Sequence, residues 1–362
     1  MLRTALIGFP SAGKTTLFRL VTGHAEPTVH GRLEPTLGIA RVPDGRLDRL
    51  VEIYSPRKRV PATVGFADLA AVPGGGAAAL VDVASYRDAD ALVHVLGSFG
   101  EAREPRADGS SPPARDAQAM EDELILADLA VAERRLERIG RDLKKVRNSE
   151  LEKERDLLTR CRSALEQGQP LRAIELGRED EKRLRGFQFL SAKPLLLVVN
   201  VDEADVGWLI EAGRMVRETG LGPFLERGAT KAVAVCAKIE LEIAQLDAGD
   251  AAAFLADLGL TESGVDRVIR ATYDLLGYIS FFTVGEDECR AWSIPRGTTA
   301  QAAAGEIHSD LARGFIRAEV VPFERLAARG SMHACREHGE VRLEGKDYLV
   351  QDGDVITVRF AT

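Results

Sequence analysis

A glycine-rich loop near the start of the chain lies between an apolar segment and a helical segment. Residues 8–15 read G-F-P-S-A-G-K-T, which fits the pattern G-x-x-x-x-G-K-[ST]. Residues 2–8 are predicted to form a strand and residues 14–22 the start of a helix, the context that separates this motif from a chance glycine-rich turn. Such a loop points backbone N–H groups at phosphate oxygens. The sequence therefore predicts a phosphate site at Ser11, Ala12, Gly13, Lys14, Thr15 and Thr16.

The same motif predicts a magnesium site. Lys14 would place its charge on the β- and γ-phosphates, and the Thr15 hydroxyl would ligate Mg²⁺. Asp68 follows the apolar run 64–67, and a carboxylate at the carboxyl end of a strand can reach the metal shell. An Asp at a strand end is more often a loop cap, but the upstream loop favours Thr15 and Asp68 as metal ligands.

Further apolar runs cover residues 91–96, 195–199 and 232–235. They do not alternate with polar residues and are separated by helical patterns, which indicates a parallel sheet buried on both faces in an α/β domain. His94 lies inside one of these runs, so we expect a core histidine and not a catalytic base.

Two amphipathic segments interrupt this pattern. Their apolar residues recur every three, four or seven positions, which indicates a coiled-coil seam: Leu129, Ala132, Leu136, Ile139, Leu143 and Val146, then Leu151, Leu158, Cys161 and Leu165. We predict two antiparallel helices that turn near residues 148–149 and form an arm over residues 115–190. Ordinary surface helices remain the alternative. The basic turn of Lys144, Lys145 and Arg147 is either a solvated helix end or a contact for RNA phosphates.

The sequence pattern changes again after Gly277. Strand-like runs separated by glycine turns cover residues 279–282, 290–294, 341–343, 348–350 and 355–360. They predict a small α+β domain over residues 277–362, which leaves residues 1–276 as the nucleotide-binding domain.

The composition limits the cellular locations and the binding partners that we expect. The chain has four cysteines and no CxxC pair, which fits a reducing cytoplasm. No apolar run is long enough for a bilayer, so we expect no membrane association. A net charge of −8 gives no reason to expect DNA binding, whereas RNA could be bound through a local basic patch.

The run 195–199 ends in Asn200-Val201-Asp202-Glu203. Ras-like GTPases carry N-K-x-D here, and its Asp accepts hydrogen bonds from guanine. Val201 and Glu203 replace the Lys and the Asp, while the Asn200 amide could still reach a purine edge. This N-V-D-E form resembles the YchF / Obg-like ATPase family, members of which prefer ATP.

Other segments strengthen the resemblance. Cys236-Ala237-Lys238-Ile239-Glu240 resembles the family's S-A-K-I-E loop, residues 34–38 its first switch, and residues 314–319 and 343–348 its C-terminal TGS domain. The resemblance implies a P-loop G-domain sheet, a helical coiled-coil insertion and a TGS domain. It also implies Mg²⁺, ATP bound more tightly than GTP, slow hydrolysis, and the ribosome or ribosomal RNA as partner. The base site would comprise Asn200, Val201, Glu203, Cys236, Ala237 and Lys238.

The chain departs from the family in the phosphate loop and the switches. Ser11 replaces Asn, Arg32 replaces the switch threonine, and Ala71 replaces the glycine of D-x-x-G. Val72 stands where Ras-like enzymes have glutamine. Arg32 and the region of Val72 are therefore the candidates for catalysis, with no residue assigned. Two functions stay open: a slow ATPase switch, and a nucleotide-gated ribosome or RNA adaptor that barely hydrolyses.

Overall fold

The structure is a computed structural model, and it describes residues 3–23, 36–68, 86–100, 111–146 and 148–361. Its strands are β1 (Arg3–Ile7), β2 (Thr36–Arg41), β3 (Lys58–Val60), β4 (Thr63–Asp68), β5 (Ala91–Ser98), β6 (Leu195–Val201), β7 (Thr230–Val235), β8 (Tyr278–Thr283), β9 (Glu288–Pro295), β10 (Phe315–Pro322), β11 (Arg342–Glu344) and β12 (Asp354–Phe360).

Its helices are α1 (Lys14–Thr22), α2 (Gly45–Tyr54), α3 (Pro112–Leu143), α4 (Ser149–Glu166), α5 (Arg178–Leu184), α6 (Gly207–Ile210), α7 (Ala212–Thr219), α8 (Gly222–Leu225), α9 (Ala237–Ile243), α10 (Ala248–Asp257), α11 (Gly264–Leu275), α12 (Ala300–Ile307), α13 (Ser309–Arg313), α14 (Phe323–Arg329) and α15 (Met332–Glu337).

The chain divides into two compact units. The first comprises Met1–Ile39 and Gly65–Leu275, and the second comprises Ala40–Val64 and Leu276–Thr362. This division differs from the expected one in residues 40–64, which contribute α2 and β3 to the second unit. β3 pairs in parallel with β9, with Lys58 opposite Glu288. No local pattern announces this pairing, because three residues at a sheet edge carry little sequence signal.

The first unit is built on a sheet with the strand order β2-β4-β1-β5-β6-β7 among the described residues. β1 pairs in parallel with β4 and β5, and β6 pairs in parallel with β5 and β7. Every residue of β5 and β6 is buried, as their apolar runs predict. This confirms the predicted α/β sheet. The chain leaves β1 towards β2 and β4 on one side and later adds β5 on the other, which places a ligand crevice at the carboxyl end of β1.

The helical insertion consists of α3 and α4, which share an apolar core that includes Ala132, Ile139, Leu158, Cys161 and Leu165. Arg135 on α3 donates to Glu154 on α4 at 2.7 and 2.9 Å. Asn148 caps α4 by accepting from the N–H groups of Glu150 and Leu151, in the turn predicted there. One predicted seam residue was wrong: Val146 lies beyond the end of α3 and is 68% exposed.

The beginning of α3 belongs to the core of the sheet. Ala117, Met120 and Leu124 pack with the apolar residues of the strands, whereas the later turns pack with α4. At the transition, the buried Asp128 carboxylate accepts from the N–H groups of Leu190 and Ser191 at 2.9 and 2.7 Å. The beginning of α3 is thus an ordinary helix of the domain, and its later turns form the arm.

Two further observations concern the cysteines and the length of the helices. All four cysteines, Cys161, Cys236, Cys289 and Cys335, are buried and free. Among the residues that the structure describes, none of the helices combines the length and the apolar character that crossing a bilayer requires.

The second unit contains a sheet with the order β11-β10-β12-β8-β9-β3 in the described chain. Its α+β composition was predicted, but β10 was not. The predicted strand 348–350 was wrong, since only an isolated bridge joins Leu349 to Thr299. Backbone hydrogen bonds join Tyr348 to Ala300 and Val350 to Thr298. Side chains add to them, since the Tyr348 hydroxyl donates to Asp354 at 2.8 Å and accepts from Arg342 at 2.9 Å.

Candidate nucleotide site

The loop between β1 and α1 has a conformation that requires glycine at two positions. Gly8 has a φ of 151° and Gly13 a φ of 94°. A Cβ at Gly8 would lie 2.7 Å from the carbonyl oxygen of Val95, and one at Gly13 would overlap the side-chain amide of Asn200. Gly13 is also the N-cap of α1 and has no side chain to occupy the first turn. The N–H groups of that turn can therefore donate to phosphate oxygens.

Ser11 is the unusual residue of this loop. Its φ is 66°, in the left-handed region that glycine and asparagine adopt more readily than other residues. The resemblance noted in the sequence leads us to expect asparagine here, and serine is less suited to this backbone conformation. Ser11 is exposed and lines the pocket described below. The loop therefore keeps its shape at the expense of some backbone strain.

Thr15 and Asp68 meet at the phosphate end of the site. Asp68 pairs with Leu6 across β4 and β1, and the Thr15 hydroxyl donates to Asp68 Oδ2 at 3.2 Å. The other oxygen, Oδ1, is buried and accepts no hydrogen bond within the described residues. Burial raises the pKa of the Asp68 carboxyl, although the Lys14 charge and the Thr15 hydroxyl oppose this. A hydroxyl beside a carboxylate oxygen that lacks a donor fits Mg²⁺, which prefers oxygen ligands.

Asn200 joins the two halves of the site. Its amide nitrogen donates to the carbonyl of Ala12 at 3.2 Å, and its amide oxygen accepts from the N–H of Ala237 at 3.0 Å. The side chain is nearly buried, at 5% exposure. Asn200 thus links the phosphate loop to the first residue of α9, and two of its hydrogen-bonding positions are already used within the protein.

The rim of the base end carries an ion pair. Lys238, at the start of α9, donates to Glu203, and this contact raises the pKa of the Lys238 ammonium. Val201 and Cys236 are buried beneath the rim, and burial raises the pKa of the Cys236 thiol. The base end is therefore a small apolar floor with a charged, exposed edge.

These residues surround a pocket of about 500 Å³. Predicted residues that line it are Ser11, Gly13, Thr16, Asn200, Val201, Glu203, Cys236, Ala237 and Lys238. Ala12, Lys14, Thr15 and Asp68 lie next to it in the same loop and at the end of β4. The catalytic candidates Arg32 and Val72, together with Ala71, lie outside the described residues.

Sequence reasoning missed three lining residues, Phe99, Asp202 and Leu241. Phe99 directly follows β5, so the rule that parallel strands end at a common edge could have identified it. Asp202 stands between two predicted residues, and Leu241 lies one helical turn beyond Ala237. Helical spacing would have suggested Leu241.

His94 is a core residue, as expected. It is 1% exposed on β5, its Nε2 has no hydrogen-bond partner in the described chain, and its ring meets Phe9 edge-on at 6.4 Å between centroids. Burial lowers the pKa of His94 to about 3. The imidazole is therefore neutral at physiological pH.

Comparisons with known proteins identify the family of this chain. The family model YchF-GTPase_C, described as "Protein of unknown function (DUF933)", matches residues 278–361. Proteins named "Ribosome-binding ATPase YchF" are 38% identical in Bacillus subtilis, 36% in Pasteurella multocida and 35% in Escherichia coli O157:H7, with 99% of both chains covered. The solved Schizosaccharomyces pombe YchF GTPase superposes with a TM-score of 0.82 at 26% identity, over 99% of this chain and 97% of that one. The chain belongs to the YchF family.

Proposed function

We propose that this chain is a nucleotide-dependent switch that binds ATP with Mg²⁺ and hydrolyses it slowly to ADP and phosphate. The supporting observation is that one pocket of about 500 Å³ is lined by the phosphate loop and by the loops after β6 and β7. The names of the relatives, which are ribosome-binding ATPases, support the same assignment.

Each residue at the phosphate end has a distinct role. Lys14 and the first N–H groups of α1 bind the phosphates, and the Thr15 hydroxyl and Asp68 would hold Mg²⁺. When bound, the ion offsets negative charge on the phosphate oxygens. Because Asp68 Oδ1 is buried without a hydrogen-bond donor in the described residues, a positive charge beside it would also relieve an unfavourable environment.

The base end lacks the groups that bind guanine in Ras-like proteins, and this favours adenine. Guanine recognition in Ras-like proteins needs a free carboxylate opposite N1–H and the N2 amino group. Glu203 is one methylene longer than that aspartate and is engaged by Lys238. Val201 also lacks the alkyl ammonium that the lysine of N-K-x-D lays over the base. We therefore infer that GTP binds more weakly than ATP.

Slow hydrolysis is inferred from the sequence of the switches. Val72 cannot orient a water molecule as a glutamine does, and Arg32 lacks the hydroxyl with which a switch threonine ligates the metal. A protein with these residues could also act as an adaptor with almost no turnover. Single-turnover hydrolysis separates the two: a measurable Mg²⁺-dependent rate supports the ATPase. A wild-type rate that is fast and collapses in Arg32→Ala would show instead that Arg32 supplies positive charge to the γ-phosphate.

The ribosome or ribosomal RNA is the proposed partner. Besides the names of the relatives, the turn between α3 and α4 presents Lys144 and Lys145 in an exposed position, the Lys145 side chain being 76% exposed. Such charges can contact RNA phosphates, and their contribution would fall with salt. A ribosomal partner would also account for the cytoplasmic location expected from the cysteines.

Calorimetric titration of ATP and GTP, each with Mg²⁺, tests the binding proposal. ATP should bind more tightly, and Lys14→Ala should weaken it roughly 10- to 100-fold, since a charge-assisted contact to phosphate is lost. Lys145→Ala, which removes an exposed lysine of the arm, serves as the matched control and should bind ATP normally. GTP binding at least as tightly as ATP would contradict the base assignment, and normal binding by Lys14→Ala the phosphate assignment.

A further inference from the structure

The carboxylate of Glu240 is buried on α9, one turn after the loop that forms the base end of the site. Glu240 is 3% exposed and closes the first turn of α9, where its N–H donates to the carbonyl of Cys236 at 3.0 Å. It does not line the pocket. A buried carboxylate without a role in ligand contact requires its own explanation, because burial of a charge is unfavourable unless hydrogen bonds compensate.

The partners of Glu240 are the first N–H groups of α11. Glu240 Oε1 accepts from Gly264 at 2.7 Å, and Oε2 accepts from Val265 at 3.4 Å. Burial raises the pKa of the Glu240 carboxyl, while these two N–H groups oppose the rise. A carboxylate at the amino end of a helix is also stabilised by the helix dipole.

Gly264 is matched to this contact by its size. A Cβ at this position would lie 2.9 Å from Glu240 Oε1 and 3.0 Å from Val235 Cγ2. The absence of a side chain lets the carboxylate approach the end of α11 directly. α11 in turn packs against β6, β7 and α1, so it is fixed to the strands and to the helix of the phosphate loop.

We propose that Glu240 is a positioning residue for base binding, which holds the loop of residues 236–238 in place by anchoring α9 to α11. The first residue of α9, Ala237, donates to Asn200, and the second, Lys238, pairs with Glu203. Both contacts depend on where the first turn of α9 lies, and the Glu240 carboxylate ties that turn to the start of α11.

The proposal rests on the proposed nucleotide site but assigns a separate role within it. The Glu240 carboxylate accepts its hydrogen bonds from α11 and is not part of the pocket lining, so its loss should weaken recognition of the base and leave the phosphate cradle unchanged. A merely structural carboxylate would lower stability without this selectivity. The contrast can be measured because the phosphates can be supplied without a base.

The experiment compares Glu240→Ala, Glu240→Gln and Gly264→Ala with wild type in two titrations, ATP with Mg²⁺ and inorganic tripolyphosphate with Mg²⁺. Glu240→Ala should weaken ATP about tenfold, the effect expected from losing a hydrogen bond to a charged group, with tripolyphosphate unchanged. Glu240→Gln keeps an acceptor for Gly264 and should lose less. Gly264→Ala keeps Glu240 but displaces its carboxylate, so it should also weaken ATP selectively.

Asp128→Asn is the matched control, since Asp128 is a buried carboxylate that accepts from backbone N–H groups where α3 passes from the sheet to the arm. It should lower thermal stability without changing either affinity. Glu240 variants that bind ATP as wild type does, or that lose ATP and tripolyphosphate equally, would overturn the positioning role. Failure of wild type to bind ATP would instead overturn the proposed function, and this role with it.

Discussion

Replacing His94 with leucine should make the first unit more resistant to mild acid. The imidazole is enclosed in β5, and its Nε2 has no hydrogen-bond partner among the described residues. Leucine has a similar volume and cannot be protonated, so it fills the space without the polar atom. The variant therefore isolates the effect of one buried titratable group.

The magnitude follows from the pKa of His94, which burial lowers from 6.5 to about 3. As pH falls below 6.5, the unfolded chain takes up a proton on this residue and the folded chain does not, so stability is lost with falling pH. The slope is about 1.4 kcal/mol per pH unit within this window. Between about pH 7.5 and about pH 5 the loss from His94 alone amounts to about 2 kcal/mol.

Urea unfolding followed by tryptophan fluorescence measures this difference. The chain has two tryptophans, Trp208 in the first unit and Trp292 in the second. A Trp292→Phe background lets Trp208 report on the first unit alone, which matters because two units need not unfold together. Wild type should lose about 2 kcal/mol more than His94→Leu on acidification. Equal losses in both proteins would show that His94 is protonated in the fold and would refute the reasoning.

Three further predictions concern the site and the arm. Asp68→Asn should raise the melting temperature of the nucleotide-free protein, because burial raises the Asp68 pKa and so disfavours the charged form at neutral pH; it should also weaken ATP binding with Mg²⁺ roughly 10- to 100-fold by titration. Ser11→Asn should stabilise the protein by about 0.5 kcal/mol in urea unfolding, since asparagine adopts φ near 66° more readily; unchanged stability would mean that Ser11 is unstrained. Replacing residues 134–155 by a short glycine turn should preserve ATP affinity and reduce co-sedimentation with ribosomes, and unchanged co-sedimentation would exclude the outer arm from the contact.

The parts of the fold that sequence predicted are those with a strong local pattern. The helix expected at residues 14–22 is α1, and the apolar runs at 91–96 and 195–199 lie within β5 and β6. In these segments the residues are buried on both faces, so hydrophobicity alone specifies them. The phosphate loop was equally visible, because its glycines are required by contacts that no other residue can satisfy.

The parts that sequence missed depend on distant partners. The spacing of Met120 and Leu124 on α3 is the same as that of Ala132 and Leu136, yet the first pair packs on the sheet and the second packs in the arm. Periodicity gives the buried face of a helix but not what covers it. The sequence showed Glu240 only as part of a motif. Its hydrogen bond with Gly264 could not be predicted, because the two residues lie 24 positions apart.

Residues 40–64 belong to the second unit, and this affects how the protein can be divided into fragments. A fragment that starts near residue 278, where the family match begins, would lack α2 and β3. Asp352 would lose Arg46, which donates to it at 2.9 Å, and the N–H of Met332 would lose the Tyr54 hydroxyl at 3.1 Å. The open edge of β9 would be free to pair with other chains. Soluble expression of the C-terminal piece should therefore require residues 40–64, supplied in trans as a peptide or fused ahead of residue 276 through a flexible linker.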